Sequence, residues 1–395
     1  MEAIAYIPYG RTWTSPFARW QGSLSGEHAV ELAAKVAGER MAAWGLDADA
    51  LDMGVLGTTV PQRGVFYGLP WLASMAGLGQ LAGPTISQAC ATGARVIETA
   101  AREVAGGSSR AVLCVTADRT SNGPHLYYPN PSGPGGTGRA EDWVLDNFDA
   151  DPATGLAMLA TAENVAAKHG VSREEQDEVT ILRYEQYAGE ASAKLRAKLT
   201  APVTVGQGRK SAVVEADEGV TSLDVDKVRG LSAVQDGGTV TYAGQTHPAD
   251  GNAGLIVADE ATARAMSSEP ITVRLLAFGQ ARVAPAYMPE APVPAAHQAM
   301  EAAGIGAADL DLVTSHNPFA VNDIVFSREV GVLLDRMNVA GCSLVYGHPQ
   351  GPTGMRAVAE LIEALAARGG GTGLFQGCAA GDSAMAVVLS VDDAR

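Results

Sequence analysis

The alternation of two kinds of segment along the chain is the strongest constraint on its fold. Short apolar runs, such as residues 52–57 and 111–115, are typical of buried strands. Between such runs lie Ala-rich stretches with helical spacing, such as residues 27–44 and 91–105. Because parallel sheets are built from strands that alternate with helices, this order predicts an α/β architecture.

One short motif occurs near both ends of the chain. Residues 92–95 read TGAR and open an Ala-rich segment that ends in two glycines, before the strand predicted at 111–115. Residues 353–356 read TGMR and open a similar segment that ends in three glycines, before the apolar run at 373–375. The pair favours an internal duplication, and the alternative is that two Gly-capped helices coincide by chance.

The middle of the chain differs from both ends. Residues 119–243 begin with a loop rich in Pro and Gly and continue into a charged segment. In that segment Ser172 and Glu175 have the spacing of a helix capping box. We predict that this section is an inserted loop domain that covers one face of the core, between an N-terminal half at 1–118 and a C-terminal half at 244–395.

Charge and targeting patterns exclude several classes of protein. The net charge of −16 does not suit a nucleic-acid binder that neutralises phosphates. The chain contains no run of 18 apolar residues, no N-terminal leader pattern and no peroxisomal C-terminus, so we expect a cytoplasmic protein that does not enter a membrane. Its four cysteines form no CxxC pair, which argues against a disulfide scaffold and against a structural zinc site.

Four separate loops each offer one reactive side chain. Cys90 precedes an Ala-rich helix, whose N-terminus favours thiolate, although a buried inert thiol fits its position equally well. His348 lies in a turn rich in Gly and Pro, while His316 and Cys378 directly follow predicted strands. A single such residue is often structural, but four of them favour a catalytic site on loops held by a rigid core.

The motifs around these residues resemble those of the thiolase family over most of the chain. Residues 90–93 (CATG) are similar to the nucleophile loop, and residues 19–24 (RWQGSL) to a short Gly-Ser-Leu segment near the N-terminus. Residues 161–165 (TAENV) and 172–177 (SREEQD) resemble the loop domain, and residues 338–354 resemble the catalytic histidine block. The resemblance implies two duplicated βαβαβαββ halves in a five-layered αβαβα core with an inserted loop domain.

The resemblance also implies a reaction and a role for each reactive residue. A thiolase cleaves a 3-oxoacyl-CoA with CoA, giving acetyl-CoA or another acyl-CoA plus a shortened acyl-CoA, or runs the reverse Claisen condensation. Cys90 would be the acylated nucleophile, His348 its base and Cys378 the second acid/base. His316, together with the backbone N–H groups of Cys90 and Ala380, would stabilise the oxyanions. Ping-pong kinetics are expected.

The expected ligands are acyl-CoA and CoA, which is a substrate rather than a permanently bound cofactor, and no metal is expected. Since CoA is an anion and the chain is acidic, a local basic site is needed. The candidates for contact with substrate or CoA are His247, Phe319, Arg209, Lys210, Lys227 and Arg229. The resemblance further implies a homodimer or homotetramer.

Several positions depart from acetoacetyl-CoA thiolases and bear on the acyl group. His316 stands in place of the usual Asn, as in sterol-carrier-type thiolases and ketoacyl synthases, and Ala157 stands in place of a pocket histidine. Ala380 replaces a glycine, which requires that its backbone angles suit alanine. Cys342 replaces another glycine, where a buried inert thiol is expected.

Three alternatives to a self-sufficient thiolase are left open. One is a thiolase subunit that works with a small zinc-containing, OB-like partner on a branched or aromatic 3-oxoacyl-CoA. Another is a non-catalytic CoA-binding subunit. A ketoacyl-synthase-like condensing enzyme is the third, but it would not be expected to have an equivalent of Cys378.

Overall fold

The fold is α/β, as the alternating pattern predicted, and one large mixed sheet organises it. The computed structural model describes residues 2–206 and 208–393, apart from the side chain of Arg209. Within them the strands are β1 (Ala5–Pro8), β2 (Thr12–Thr14), β3 (Ala18–Arg19), β4 (Met53–Gly57), β5 (Thr85–Ile86), β6 (Ala111–Arg119), β7 (His125–Tyr128), β8 (Arg139–Asp142), β9 (Val203–Val205), β10 (Ala212–Val214), β11 (Ala249–Ala258), β12 (Ile271–Arg282), β13 (Leu312–His316), β14 (Gly370–Ala379) and β15 (Ser383–Asp393).

The large sheet has 11 strands, in the order β13-β14-β15-β12-β1-β11-β6-β4-β5, with β2 and β3 pairing to β11. Parallel pairs lie toward both ends of this order, β13 with β14 and β4 with β6 and β5. The strands between them are antiparallel. Two separate two-stranded sheets, β7-β8 and β9-β10, lie in the middle section of the chain.

The α-helices surround and separate the strands. They are α1 (Ala29–Trp44), α2 (Gly68–Met75), α3 (Thr92–Ala105), α4 (Leu145–Asp149), α5 (Met158–His169), α6 (Arg173–Ala188), α7 (Glu190–Leu199), α8 (Val225–Gly230), α9 (Glu260–Met266), α10 (Pro292–Ala303), α11 (Ala320–Val330), α12 (Ser343–Tyr346) and α13 (Gly351–Ala367). No helix in the described ranges is both long and apolar enough to cross a membrane.

Three apolar clusters give the layers of the core. Helices α3 and α13 pack between the two parts of the large sheet, in a cluster that includes strands from both parts. Helices α1 and α2 cover the outer face of one part, and α10 and α11 cover the outer face of the other. Helix α13 is buried on all sides from residue 351 to 366, as expected for a helix that is largely apolar around its circumference.

The two TGxR motifs open these two central helices, and their N-terminal ends touch. A Cβ atom at Gly93 would lie 2.5 Å from the backbone nitrogen of Met355 and 2.7 Å from the carbonyl oxygen of Gly351. No residue larger than glycine fits there without moving the backbone of α13. This close approach brings the residues just before α3 and α13 together.

The middle section contains the predicted capping box. Ser172 accepts a hydrogen bond from the backbone of Glu175, and the Glu175 carboxylate accepts one from the backbone of Ser172, which starts α6 as predicted. The domain boundaries at 118/119 and 243/244 stay a prediction.

Candidate active site

Cys90 lies immediately before α3 and is partly exposed to a cavity. The preceding Ala89 has φ 44°, a left-handed conformation in the short connection between β5 and α3. Burial raises the pKa of Cys90 to about 11, while hydrogen bonds from the backbone N–H groups of Ala380 and Cys90 oppose the rise. These amides favour the thiolate, but burial outweighs them in the unliganded site. The expectation that the N-terminus of α3 also favours the thiolate stays a prediction.

His348 lies in the turn before α13 and is 5% exposed. Its backbone N–H donates to the carbonyl oxygen of His247 at 2.8 Å, and its Nδ1 lies 2.7 Å from Oγ1 of Thr353. Its Nε2 has no hydrogen-bond partner in the described part of the chain. The ring is thus fixed through Nδ1, and Nε2 is left for a proton or a ligand.

His316 ends β13 and stacks on His348, with the ring centroids 3.8 Å apart and the planes at 20°. Its Nδ1 lies 3.0 Å from Oγ of Ser343, and its Nε2 also lacks a partner among the described residues. Burial lowers the pKa of His316 to about 3. The pKa of His348 is lowered well below its usual value by burial and by the neighbouring His316. Both histidines are therefore neutral at pH 7.

Cys90, His316 and His348 form one cluster, in which a ligand atom of each lies within 4.8 Å of those of the other two. Such a set of donors is rich enough to attract zinc. However, an imidazole binds a metal in its own ring plane at about 2 Å, and two planes stacked face to face do not share such a point unless one ring turns. The arrangement therefore suits proton transfer better than metal binding.

Cys378 lies in β14 next to this cluster and is fully buried. The side-chain nitrogen of Asn322 donates to its sulfur at 3.3 Å. Burial, with a smaller effect of the neighbouring Cys90, raises the pKa of Cys378 well above that of a free thiol. Cys378 belongs to an apolar cluster with Phe319 and is not part of the cavity wall, so it presents a protonated thiol from just behind the wall.

The cavity in front of these residues has a volume of about 450 Å³. Its wall includes the predicted residues Cys90, His316, His348, Phe319 and Ala380. None of the described residues that line it carries a charge, and much of the wall is apolar or aromatic, including Trp143, Val144, Phe148, Met158 and Met288. The sequence analysis did not identify this apolar wall, because its residues come from distant loops without a shared motif.

Ala380 has a backbone compatible with its side chain. Seven described non-glycine residues have positive φ, and Ala380 is not one of them. The following Gly381 and Asp382 turn the chain instead, with φ 80° and 58°. Alanine therefore presents its N–H to Cys90 without the conformational freedom of glycine.

Of the remaining candidates for substrate or CoA contact, those whose side chains the structure describes lie outside the cavity wall. His247 is half-buried behind the His348 turn, against Gly219 and Gly347, and burial lowers its pKa. The exposed Arg229 already pairs with Glu178. Lys210 and Lys227 are exposed, and the side chain of Arg209 lies outside the described part of the chain. The assignment of these residues to CoA stays a prediction.

Asp118, at the end of β6, is a structural part of the site that the sequence analysis missed. Its carboxylate accepts hydrogen bonds from the backbone of Thr59 at 2.7 Å, Val60 at 2.9 Å and Gly351 at 2.9 Å. Burial raises its pKa to about 6 against these bonds. One side chain thus ties a wall of the cavity to the start of α13. The only sequence signal for this residue is its position just after the apolar run at 111–115.

Buried Cys114 and Cys342 do not join the cluster, as expected for inert thiols. Burial raises the pKa of Cys342 to about 12, and burial also raises that of Cys114. All four cysteines are free.

Comparison with known proteins gives matches along almost the whole chain. A family model described as "Thiolase, N-terminal domain" matches residues 11–261, and one described as "Thiolase, C-terminal domain" matches residues 269–391. Acetyl-CoA acetyltransferase of Escherichia coli is 28% identical over 94% of this chain and 95% of its own. Acetyl-CoA acetyltransferase IA of Candida tropicalis is 30% identical, with 97% and 96% covered.

The similarity extends to three-dimensional structure. The crystal structure of human mitochondrial 3-ketoacyl-CoA thiolase in complex with CoA superposes with a TM-score of 0.89 at 25% identity. The superposition covers 99% of this chain and 99% of the human chain.

Proposed function

The chain belongs to the thiolase family, and on that premise we propose that it cleaves a 3-oxoacyl-CoA with CoA, or runs the reverse Claisen condensation, through an acyl-enzyme on Cys90. It is therefore an acyltransferase. The observation that carries the proposal is the convergence of Cys90, His316 and His348, with Cys378 behind them, on one uncharged cavity. A full set of reactive side chains does not favour a non-catalytic CoA-binding role.

The first half-reaction begins with two neutral partners. The thiol of Cys90 gives its proton to Nε2 of His348 while its sulfur attacks the ketone carbon, C3, of the 3-oxoacyl-CoA. The C2–C3 bond then breaks, leaving the acyl group on the sulfur and a carbanion at C2 of the departing acetyl-CoA. Cys378 protonates that carbon, a role for which a thiol with a raised pKa is suited because it keeps its proton at pH 7.

Oxygen atoms gain negative charge at two places during this reaction. The backbone N–H groups of Cys90 and Ala380 already point at the Cys90 sulfur, and they would hold the oxygen of the acyl group attached to it. His316 would donate from Nε2 to the thioester oxygen of the departing enolate. One such donor is typically worth about 3–4 kcal/mol of activation free energy.

The second half-reaction transfers the acyl group to CoA. The proton that His348 took from Cys90 first passes to the Cys378 thiolate, so that His348 is neutral again and Cys378 regains its thiol. His348 then takes the proton of the CoA thiol, whose sulfur attacks the Cys90 thioester. The bond to the Cys90 sulfur breaks, and this sulfur recovers a proton from His348. The free enzyme is thereby restored, and two separate half-reactions give ping-pong kinetics.

These roles require opposite tautomers of the two histidines. His348 must carry its proton on Nδ1, so that Nε2 is a base, and Nδ1–H then donates to Oγ1 of Thr353. His316 must carry its proton on Nε2, so that it is a donor, and Nδ1 then accepts from the hydroxyl of Ser343. In the proposed mechanism the Thr353 hydroxyl thus acts as an acceptor and the Ser343 hydroxyl as a donor, which gives the two stacked rings opposite tautomers.

The uncharged wall of the cavity bears on the substrate. An acyl group with a carboxylate or an ammonium group would be buried there without a partner, at a cost of several kcal/mol. We therefore propose neutral acyl chains, with CoA as the second substrate. We also propose a homodimer or homotetramer, which light scattering would measure. No feature of the described residues favours a zinc-containing partner subunit.

The decisive experiment is thiolysis of short, long, branched and aromatic 3-oxoacyl-CoA substrates, with mass spectrometry of the protein during turnover. We expect a transient acyl adduct on Cys90.

Cys378→Ser should slow cleavage of the C2–C3 bond by about 10²–10⁴-fold, since general acid catalysis is lost, while a simple acyl-CoA still acylates Cys90. Cleavage of no 3-oxoacyl-CoA, or turnover without an adduct, would reject the proposed function.

A further inference from the structure

The side chain of Gln350 touches the Cys90 thiol. Its Oε1 accepts a hydrogen bond from Sγ of Cys90 at 3.3 Å. Gln350 is 7% exposed and forms part of the cavity wall. It lies two residues after His348 and directly before α13, so one turn carries both the imidazole and the amide.

The backbone of Gln350 has an unfavourable conformation. Its φ of 65° and ψ of −110° lie in a region that glycine adopts freely and other residues rarely adopt, at a cost of about 1–3 kcal/mol. The turn is held on both sides, since the carbonyl of Gln350 accepts from Thr353 and the next N–H donates to Asp118. A glutamine at this strained position, with its amide on the sulfur, points to a role for its side chain.

We propose that Gln350 is a further catalytic residue, whose carbonyl oxygen accepts the S–H of Cys90 before proton transfer and the Nε2–H of His348 after it. The inference rests on the proposed function, because it concerns the same proton. In the step itself the S–H bond breaks, an N–H bond forms at His348, and the freed electron pair on sulfur attacks the substrate carbon. Gln350 forms and breaks no covalent bond in this step. Its carbonyl oxygen accepts from the S–H of Cys90 before the transfer and from the Nε2–H of His348 after it.

The electrostatics of the turn agree with this role. Burial and the neighbouring His316 lower the pKa of His348, whereas the nearby side chain of Gln350 raises it. Hydrogen bonds from charged donors are about twice as strong as those from neutral donors. The carbonyl of Gln350 therefore stabilises the imidazolium–thiolate pair more than it stabilises the neutral pair, and makes the transfer easier.

Alkylation of Cys90 by iodoacetamide, followed across pH by peptide mass spectrometry, measures this effect without substrate. Gln350→Met keeps the length of the side chain but has no carbonyl group. Gln350→Gly removes the side chain and also removes the backbone strain, because glycine adopts this conformation freely. A loss of reactivity in this variant would therefore not be due to unfolding. Gln245→Met is the matched control, because Gln245 also lines the cavity but forms no hydrogen bond with the sulfur among the described residues.

For both Gln350 variants we expect the alkylation rate at pH 7 to fall about ten-fold and its pH midpoint to rise by about one unit. Gln245→Met should leave the midpoint unchanged. A midpoint equal to wild type in the folded Gln350 variants would overturn the proposal, as would an equal shift in Gln245→Met. Since the assay needs no 3-oxoacyl-CoA, its result is separate from that of the thiolysis test.

Discussion

Two sets of buried polar side chains lie at α13, and they differ in whether their polar atoms have hydrogen-bond partners. Near its middle, the guanidinium of Arg356 donates to Glu360 at 2.8 Å and to both carboxylate oxygens of Asp217 at 2.7 and 2.8 Å. It also lies over the rings of Phe17 and Tyr346. At the start of α13, His316 and His348 are equally buried, but both Nε2 atoms lack a partner among the described residues.

This difference in hydrogen bonding indicates that the Arg356 cluster serves the stability of the fold and the histidine pair serves the reaction. A buried polar atom without a partner costs free energy, so proteins satisfy nearly all of them. In the Arg356 cluster every side-chain nitrogen of the guanidinium and every oxygen of the two carboxylates has a hydrogen-bond partner, which leaves none of these atoms for a substrate. The histidine pair stays neutral and has two ring nitrogens without a partner among the described residues, and the proposed mechanism uses them for a substrate oxygen and a transferred proton. Variants of the two regions should therefore affect different quantities.

The largest effect is expected from Cys90→Ala. Loss of a nucleophile costs about 10⁴–10⁶-fold in kcat, whereas stability should stay near that of wild type, because Cys90 is partly exposed to the cavity. Thiolysis rates and urea unfolding would measure the two quantities. Cys114→Ala, which removes a buried thiol outside the site, should keep its activity and lose some stability. An acyl adduct on Cys90→Ala would show that another residue is the nucleophile.

Arg356→Met should give the reverse result. It leaves Asp217 and Glu360 buried without their partner, so the free energy of unfolding should fall by about 3–5 kcal/mol. The kcat per folded molecule should change little. Replacing both acids as well, with Asp217→Asn and Glu360→Gln, should restore part of the stability. A loss below about 1 kcal/mol in urea unfolding, or a loss of kcat in the folded variant, would remove the contrast between the regions.

The sequence analysis placed each reactive residue beside a strand or a helix, and the structure has such an element at each position. The strands extend further than predicted, because His316 is the last residue of β13 and Cys378 lies within β14 rather than after it. Cys90 precedes an Ala-rich helix whose TGxR motif recurs at the start of α13. The burial of these residues was not predictable, since it depends on how the two sheet halves close over α3 and α13. For the same reason the sequence analysis could not show that burial raises the pKa of the Cys90 thiol.

Residues that act through contacts were missed altogether. Nothing in the letters HPQGPTG indicates that Gln350 has a left-handed backbone or that its amide meets a thiol 260 residues away in sequence. Asp118, Ser343 and Thr353 likewise gain their roles from loops that meet only in the folded chain. Patterns therefore located the reactive atoms, and only the structure identified the groups that position them.

His316→Ala tests whether the ring nitrogen that has no partner in the free site contributes to catalysis. We expect kcat to fall by about 10²–10³-fold, since one oxyanion donor is removed. Because burial keeps the pKa of His316 at about 3, its own protonation should add no limb to the pH profile of kcat between pH 5 and 9. His297→Ala, on the distant helix α10, is the control. An unchanged kcat would make His316 a packing residue.

The smallest effect is expected from Ser343→Ala, which leaves both histidines in place. The Ser343 hydroxyl lies 3.0 Å from Nδ1 of His316 and 3.2 Å from Oδ1 of Asn317, and its single proton can go to only one of them. Donation to His316 fixes the Nε2–H tautomer, so its loss should reduce kcat about ten-fold with little change in KM.

Ser343→Thr keeps the hydroxyl and should keep most of the rate. Nitrogen-15 NMR of the histidine side chains would show His316 protonated at Nε2 in wild type and partly at Nδ1 in Ser343→Ala. If Ser343→Ala has wild-type kcat and an unchanged His316 spectrum, the tautomer is set elsewhere. Burial alone would then explain why the two Nε2 atoms lack partners. The site and the Arg356 cluster would differ in whether their groups are charged, and not in how their protons are positioned.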